Sequence, residues 1–305
     1  MKLDLRLPRI ILVTRKTPLE LLLEQHGTFA QAQFYLQSRG QSIEEQQAIQ
    51  DRLGAALARV LAAIPPDQRR LRLDRGDLDR FLFSPDDIVM IVGQDGLVPN
   101  AAKYLDGQLT IGINPDAARY DGVLCPHAPQ AAADLVGWVN GYGKTGYKVQ
   151  KRTMALARRE DGQQLLALNE VFIGHRSHQS ARYRIRVAGQ QERQSSSGII
   201  CATGTGSTGW VRSIVEQRQL GVGLPAPEQP RLSWFVREPF PSIYTGTKLN
   251  FGFVERRENL VVSSEMGAGG IVFADGIESD SLEFLDGHTV SVGVADTALN
   301  LVVPE

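Results

Sequence analysis

Asp86-Asp87-Ile88-Val89-Met90-Ile91-Val92-Gly93-Gln94-Asp95-Gly96 decides how the first half of this chain is read. Two acids lead into five consecutive apolar residues, the pattern of a buried strand, which opens directly onto a glycine turn. A glycine turn at the carboxyl end of a strand lets phosphate oxygens approach backbone amides, and open α/β sheets bind ligands at that edge. An Asp in such a turn can accept a proton from an attacking hydroxyl or help hold Mg²⁺. The plainer reading of Asp95 is a surface residue in a tight turn.

Working outward, Ile10 to Thr14 reads as another buried strand and Phe29 to Gln37 as a helix. Ser42-Ile43-Glu44-Glu45 fits a capping box, opening a helix whose apolar face carries Ile49, Leu53, Leu57, Val60, Leu61 and Ile64. Pro65-Pro66 ends it. Pro99 to Leu105 is expected to be helical and Leu109 to Ile113 a short strand.

Past Pro126 the pattern changes. Ala131 to Val139 reads as a helix, and strands follow. Tyr147 to Arg159 and Gln164 to Ile173 flank Glu160-Asp161-Gly162-Gln163, a hairpin signal because Asp-Gly tolerates positive φ. Tyr183, Ile185 and Val187 alternate with Arg182, Arg184 and Arg186, the period of a half-exposed strand. Gly198 to Thr203, Leu232 to Val236, Leu249 to Val254, Leu260 to Ser264, Gly270 to Ala274 and Val290 to Val294 complete a β-rich half. The expected division is 1–130, 131–290, and a segment 291–305 packing back on the first domain.

Composition bounds the rest. A length of 305 residues suits two cores, and 42 % hydrophobic residues exclude a largely disordered chain. Lys and Arg number 33 against 34 Asp and Glu, so neither nucleic acid nor an anionic membrane is expected as a partner. Cys125 and Cys201 give no disulfide framework, and no secretory leader or 18-residue apolar run is evident, so the expected compartment is cytoplasmic.

Four local motifs mislead. Gly204-Thr205-Gly206-Ser207-Thr208-Gly209 has dinucleotide-fold spelling but lies in the β-rich half, with no acid ending a second parallel strand about 20 residues on. Gly143-Lys144-Thr145 runs from helix to strand, opposite to a phosphate-binding P-loop. His175-x-x-His178 has no second tight ligand pair for zinc. Thr205 stands where a nucleophile elbow needs glycine.

Three segments combine better. Besides Gly93 to Gly96, Ala167-Leu168-Asn169-Glu170-Val171-Phe172-Ile173 interrupts an apolar strand with an amide and a carboxylate, which need partners if buried. Ser197 to Thr208 is a strand ending in small hydroxyl and glycine residues, suited to close backbone contact with a nucleotide.

The order G-x-D-G, N-E-V at 169–171, T-x-T-G-S-T at 203–208 and Asp275-Gly276 resembles the NAD kinase family, from Ile10 to about Leu285. Ala167 to Gly174, Ser196-Ser197-Gly198, Trp210 and Arg237-Glu238-Pro239 resemble its mitochondrial-type branch. The resemblance implies an α/β N-terminal domain with the G-x-D-G phosphate loop and a β-rich, sandwich-like C-terminal domain for the dinucleotide. It implies transfer of the ATP γ-phosphoryl to the adenosine 2′-hydroxyl of NAD, with Mg²⁺, in a homodimer or homotetramer. Asp95 would be the general base, while Gly93, Gln94 and Gly96 would form the phosphate loop. Asn169, Glu170, Thr203, Gly206, Ser207, Thr208 and Asp275 would bind NAD.

The family's usual turn is G-G-D-G-T, and here Gln94 and Leu97 replace a glycine and a hydroxyl residue. Its T-P-T-G-S-T-A-Y run ends here in Thr208-Gly209-Trp210. Gln94 is therefore expected to crowd the triphosphate or to block a positive φ. These departures motivate a rival reading, a catalytically weak NAD- or NADP-binding or sensing protein. A third reading is a kinase for a lipid or other small alcohol, against which the 169–170 and 203–208 elements favour a dinucleotide.

Overall fold

A computed structural model describes residues 7–143 and 145–305. The chain divides into one unit that ends at Gln150 and includes Asn300–Glu305, and another spanning Lys151–Leu299. Lys144, in the rejected P-loop match, lies outside the described residues.

The first unit runs β1 (Ile10–Thr14), α1 (Pro18–His26), α2 (Phe29–Gln37), α3 (Ile43–Ala63), β2 (Arg70–Asp74), β3 (Ile88–Val92), α4 (Leu97–Ala102), β4 (Leu109–Ile113) and α5 (Ala132–Val139). Its sheet is parallel in the order β2-β1-β3-β4, and Asn300–Val302 continues it beside β4. Every residue of β1 and β3 is buried, as strands covered on both faces require. On one face Leu12, Met90 and Ile111 pack with Leu57 and Val60 of α3 and Leu135 and Val136 of α5. Because α5 completes this core, the unit extends past the expected edge at 130.

Two local expectations differ from the structure. Ser42 stands at the N-cap of α3 but caps no amide, because its hydroxyl donates to Glu44 while Glu45 pairs with Arg119. The capping box closes instead on α1, where Glu20 N–H donates to Thr17 Oγ1 at 3.2 Å and Thr17 N–H to Glu20 at 2.6 Å. Helix α4 begins at Leu97 rather than at Pro99, which falls in its first turn, where a missing N–H costs nothing.

The second unit is a β-sandwich. Its strands are β5 (Tyr147–Arg159), β6 (Gln164–Ala167), β7 (Glu170–His175), β8 (Ala181–Val187), β9 (Gln190–Ser196), β10 (Ile199–Ala202), β11 (Arg231–Val236), β12 (Phe251–Glu255), β13 (Leu260–Ser264), β14 (Gly270–Ala274), β15 (Ile277–Glu283) and β16 (Thr289–Pro304). The first residues of β5 and the last of β16 fall in the first unit. One antiparallel sheet has the order β12-β11-β10-β7-β14-β15. The other runs β16-β13-β8-β9, with the β5–β6 hairpin joined through β16. Val171, Ile173, Cys201, Trp234 and Val272 meet Tyr183, Ile185, Val262 and Val292 in the core between them. On the outer face of the first sheet, Phe172, Ile200, Phe235 and Phe273 pack against Val211 and Ile214 of α6 (Trp210–Gln217).

The alternation on β8 is as read, with Tyr183, Ile185 and Val187 buried and the three arginines exposed. Gly162 takes φ 91° in the β5–β6 turn. The strand expected from Gln164 to Ile173 is broken at Leu168 and Asn169, whose amides leave the ladder for a carboxylate described next.

Candidate functional site

In the first unit, β3 delivers the chain into Gly93-Gln94-Asp95-Gly96, and the turn runs straight into α4. Leu97 N–H donates to Gln94 O at 2.9 Å and Val98 N–H to Asp95 O at 3.0 Å. The Asp95 carboxylate takes three consecutive amides from a loop about thirty residues on. Val123 N–H donates to Oδ2 at 2.9 Å, and Leu124 and Cys125 N–H to Oδ1 at 3.0 and 2.9 Å. Oδ2 thus carries one N–H and keeps a lone pair. The pinned loop lies tight on β4, where a Cβ on Gly112 would come within 2.1 Å of Leu124 O. Burial, assisted by the charge on Asp95, pushes the Cys125 thiol well above its ordinary value, so it is an inert packed thiol.

The glycines of the turn differ. A Cβ at Gly93 would press on Leu97 at 3.1 Å, whereas one at Gly96 would meet nothing within 4 Å. Gly96 is exposed, so no neighbour in the fold requires a glycine there. Gln94 is not among the residues with positive φ, and its side chain turns to Arg15, whose Nη2 donates to Oε1 at 2.8 Å. The expected backbone block is therefore absent. Gln94 and Arg15 line a crevice at the carboxyl ends of β1, β3 and β4, together with Lys16, Arg52, Asp116 and Tyr120. Open parallel sheets bind ligands at this edge.

The second unit repeats the clasp. Asp275-Gly276 forms the β14–β15 turn with φ 54° and 70°, the paired positive values of the tightest hairpin turns. The Asp275 carboxylate accepts Leu168 N–H on Oδ2 at 3.0 Å, and Asn169 and Glu170 N–H on Oδ1 at 2.7 and 3.2 Å. Thr203 fastens the same loop from the other side. Its hydroxyl donates to Leu168 O at 2.5 Å and accepts Thr205 and Gly206 N–H at 3.1 and 3.3 Å. That fully buried hydroxyl has no capacity left for a further hydrogen bond.

Gly206 is glycine for a close approach, since a Cβ there would sit 2.2 Å from Asn169 O. Ser207 and Thr208 turn their hydroxyls back onto Thr203 O and Thr205 O at 3.0 and 3.1 Å. Asn169 and Glu170 are left half-buried at the edge of this knot. Burial first, and the Asp275 charge second, push the Glu170 carboxyl up to about 7. A carboxyl poised near neutrality can donate or accept a hydrogen bond. Trp210 stacks on Phe172 at 5.8 Å, and the Arg237 guanidinium lies 4.9 Å from the Trp210 ring centre.

Within the second unit, Asn169, Glu170, Thr203, Gly206, Ser207 and Asp275 thus form one knot around the 168–170 loop. Sequence reasoning missed Arg15, signalled only by a basic pair after the first strand, and the 123–125 loop, whose part is played by main-chain amides. Among the described residues no group of three or more His, Cys, Asp or Glu side chains converges as a metal centre, and no helix is long and apolar enough to cross a membrane.

No family model matches the chain. It is similar to NAD kinase 2, mitochondrial, of Homo sapiens and of Rattus norvegicus, 28 % identical over 228 residues in each case. The match covers 50 % of this chain and 52 % and 54 % of those proteins, so the chain spans about half the length of the curated relatives it matches. Among solved structures, an NAD kinase from Archaeoglobus fulgidus in complex with ATP aligns with TM-score 0.58 and 19 % identity, over 97 % of this chain and 93 % of that one. Yeast NADH kinase complexed with NADH aligns with TM-score 0.59 and 15 % identity, over 97 % of this chain and 83 % of that one. The fold is that of the solved NAD kinases, and the sequence is similar to the mitochondrial enzymes over half of the chain.

Proposed function

We propose that the protein is an NAD kinase-like phosphotransferase that moves the γ-phosphoryl of ATP to the adenosine 2′-hydroxyl of NAD, giving NADP and ADP. The observation that carries this reading is the clasped Asp95 turn at the carboxyl edge of the parallel sheet, in a chain similar to NAD kinases. Asp95 takes the 2′-hydroxyl proton on Oδ2, the ribose oxygen forms the new bond to phosphorus, and the bond from phosphorus to the β,γ-bridging oxygen breaks with ADP leaving. Three amides hold the carboxylate in place throughout. A positioned base contributes roughly 10²–10⁴-fold, so most of the acceleration comes from alignment and charge neutralisation.

Asn169 and Glu170 hold the adenosine part of NAD, and the 203–208 segment fixes the loop that carries them. Mg²⁺ would be held through the phosphates of the donor, needing few protein carboxylates, and would supply charge neutralisation there. Gln94 tied to Arg15, free of positive φ, supports catalysis over binding alone. A cytoplasmic setting suits two buried free thiols, and a homo-oligomer completes the proposal, with light scattering as its measurement.

The test is NADP formation by purified protein with ATP and Mg²⁺. If the wild type is no faster than Asp95→Asn with ATP, other nucleoside triphosphates and polyphosphate, the kinase reading is wrong. Calorimetric binding of NAD without turnover would then favour the sensing role.

A further inference from the structure

The crevice beside the glycine turn is lined by three cations and a single carboxylate, and the three cations are not equivalent. Lys16 is paired with Glu24 at 2.6 Å and Arg52 with Asp116 at 2.8 Å. Arg15 meets no carboxylate among the described residues. Its partner is the neutral amide of Gln94, which accepts one of its five N–H groups. A guanidinium held by a carboxylate is neutralised, whereas one held by an amide oxygen is oriented and keeps its full charge.

The pair is also one-sided in its hydrogen bonding. The Gln94 oxygen already accepts from Arg15 and keeps one lone pair, while the pair brings the remaining Arg15 N–H groups and the Gln94 NH₂ to the crevice, so donors outnumber acceptors there. Phosphoryl oxygens are acceptors only. The pair sits at the carboxyl end of a parallel sheet, one residue from Asp95 and two from Gly96, whose missing side chain leaves open space above the turn.

We infer that Gln94 and Arg15 form an anion subsite for the polyphosphate chain of the phosphoryl donor, with Arg15 the binding residue and Gln94 its positioning residue. The glutamine that departs from the family's glycine thus orients the binding guanidinium in this chain. The inference rests on the kinase reading for the identity of the anion, but not for its existence.

Inorganic tripolyphosphate and ATP are titrated calorimetrically into the full-length wild type, Arg15→Gln, Gln94→Gly and Gln94→Glu, with thermal melts to show that each variant is folded. Arg15→Gln is expected to weaken tripolyphosphate about tenfold or more, and Gln94→Gly about threefold. The diagnostic variant is Gln94→Glu. It keeps the shape and strengthens the bond to Arg15, so a purely structural role predicts no loss, whereas a subsite neutralised by the new carboxylate loses binding about as severely as in Arg15→Gln. In steady state, the Michaelis constant for ATP rises in all three variants while that for NAD stays within about twofold.

Tripolyphosphate binding unchanged in Gln94→Glu, or tighter binding in Gln94→Gly, overturns the inference. So does a wild type that turns over ATP without binding tripolyphosphate, and that result leaves the kinase reading standing. A wild type that binds tripolyphosphate through Arg15 yet makes no NADP from any donor supports the subsite and removes the kinase.

Discussion

Asp95 and Asp275 make the same clasp in two different units. Each sits in a turn with glycine beside it, and each takes three consecutive backbone amides, the first on Oδ2 and the next two on Oδ1. Each pinned loop also lies against a glycine, Gly112 under Leu124 and Gly206 under Asn169. The surroundings differ. Asp95 opens a helix beside a crevice rich in cations, and its loop offers only amides and a buried thiol. Asp275 takes a left-handed φ in a hairpin, and its loop carries a second acid whose proton it helps to retain. One clasp leaves a carboxylate with an open lone pair beside a crevice, and the other uses a carboxylate to fix the loop that carries Asn169 and Glu170.

The largest expected effect tests that division. Asp95→Asn should lower the rate of NADP formation by about 10²–10⁴-fold with the Michaelis constant for NAD little changed. Asp275→Asn should act the other way, raising the constant for NAD more than it lowers turnover. Equal profiles from the two variants, measured in steady state, would mean that both clasps are merely structural.

Stability separates the clasp from the chemistry. Asp275→Ala strands three amides at once and should cost about 3 kcal/mol in denaturant unfolding, at 1–3 kcal/mol for each amide that stays dry. Asp95→Ala should cost a similar amount, because the geometry is the same. A loss near zero at either site would show that water replaces the carboxylate there and that the clasp is not what fixes the loop.

The glycines sharpen the comparison further. Gly112→Ala and Gly206→Ala each drive a Cβ to within 2.1–2.2 Å of a backbone oxygen that cannot swing away, so each should lose about 2–3 kcal/mol. Gly96→Ala meets nothing within 4 Å and should stay within about 0.5 kcal/mol of the wild type. If Gly96→Ala nonetheless weakens ATP binding, its glycine answers to the ligand rather than to the fold.

Much of this arrangement was legible in sequence wherever one periodicity decided the element. The strands Ile10–Thr14, Leu109–Ile113, Leu260–Ser264 and Gly270–Ala274 fall where apolar runs put them. Strand β9 was invisible because Gln190 to Ser196 has no apolar face. Its buried Gln194 and Ser196 are there to satisfy the Tyr183 hydroxyl, at 3.1 and 2.7 Å. Thr17-x-x-Glu20 and Ser42-x-x-Glu45 spell the same capping box, and only contacts elsewhere in the fold determine which one closes. The motifs single these residues out, but the fastening roles of Thr203 and Asp275 depend on partners 35 and 107 positions away in the chain.

The smallest effect concerns Glu170 alone, and its sign is fixed by the direction of its shift. The folded state holds the carboxyl proton up to about pH 7, against an ordinary value of 4.5 in the unfolded chain. Below about pH 4.5 both states are protonated and the group contributes no pH dependence. Between 4.5 and 7 the unfolded state releases its proton while the folded state keeps it, so stability falls as pH rises, and above 7 the penalty is constant. Glu170 is half-buried, so water relieves part of this, leaving roughly 1–2 kcal/mol. Glu170→Gln keeps the shape and cannot ionise, so its stability advantage over wild type should be absent at pH 4 and full at pH 8. Urea melts across that range decide it. A flat difference would mean that Glu170 ionises freely in the fold, and that the Asp275 clasp lends its loop rigidity without altering its charge.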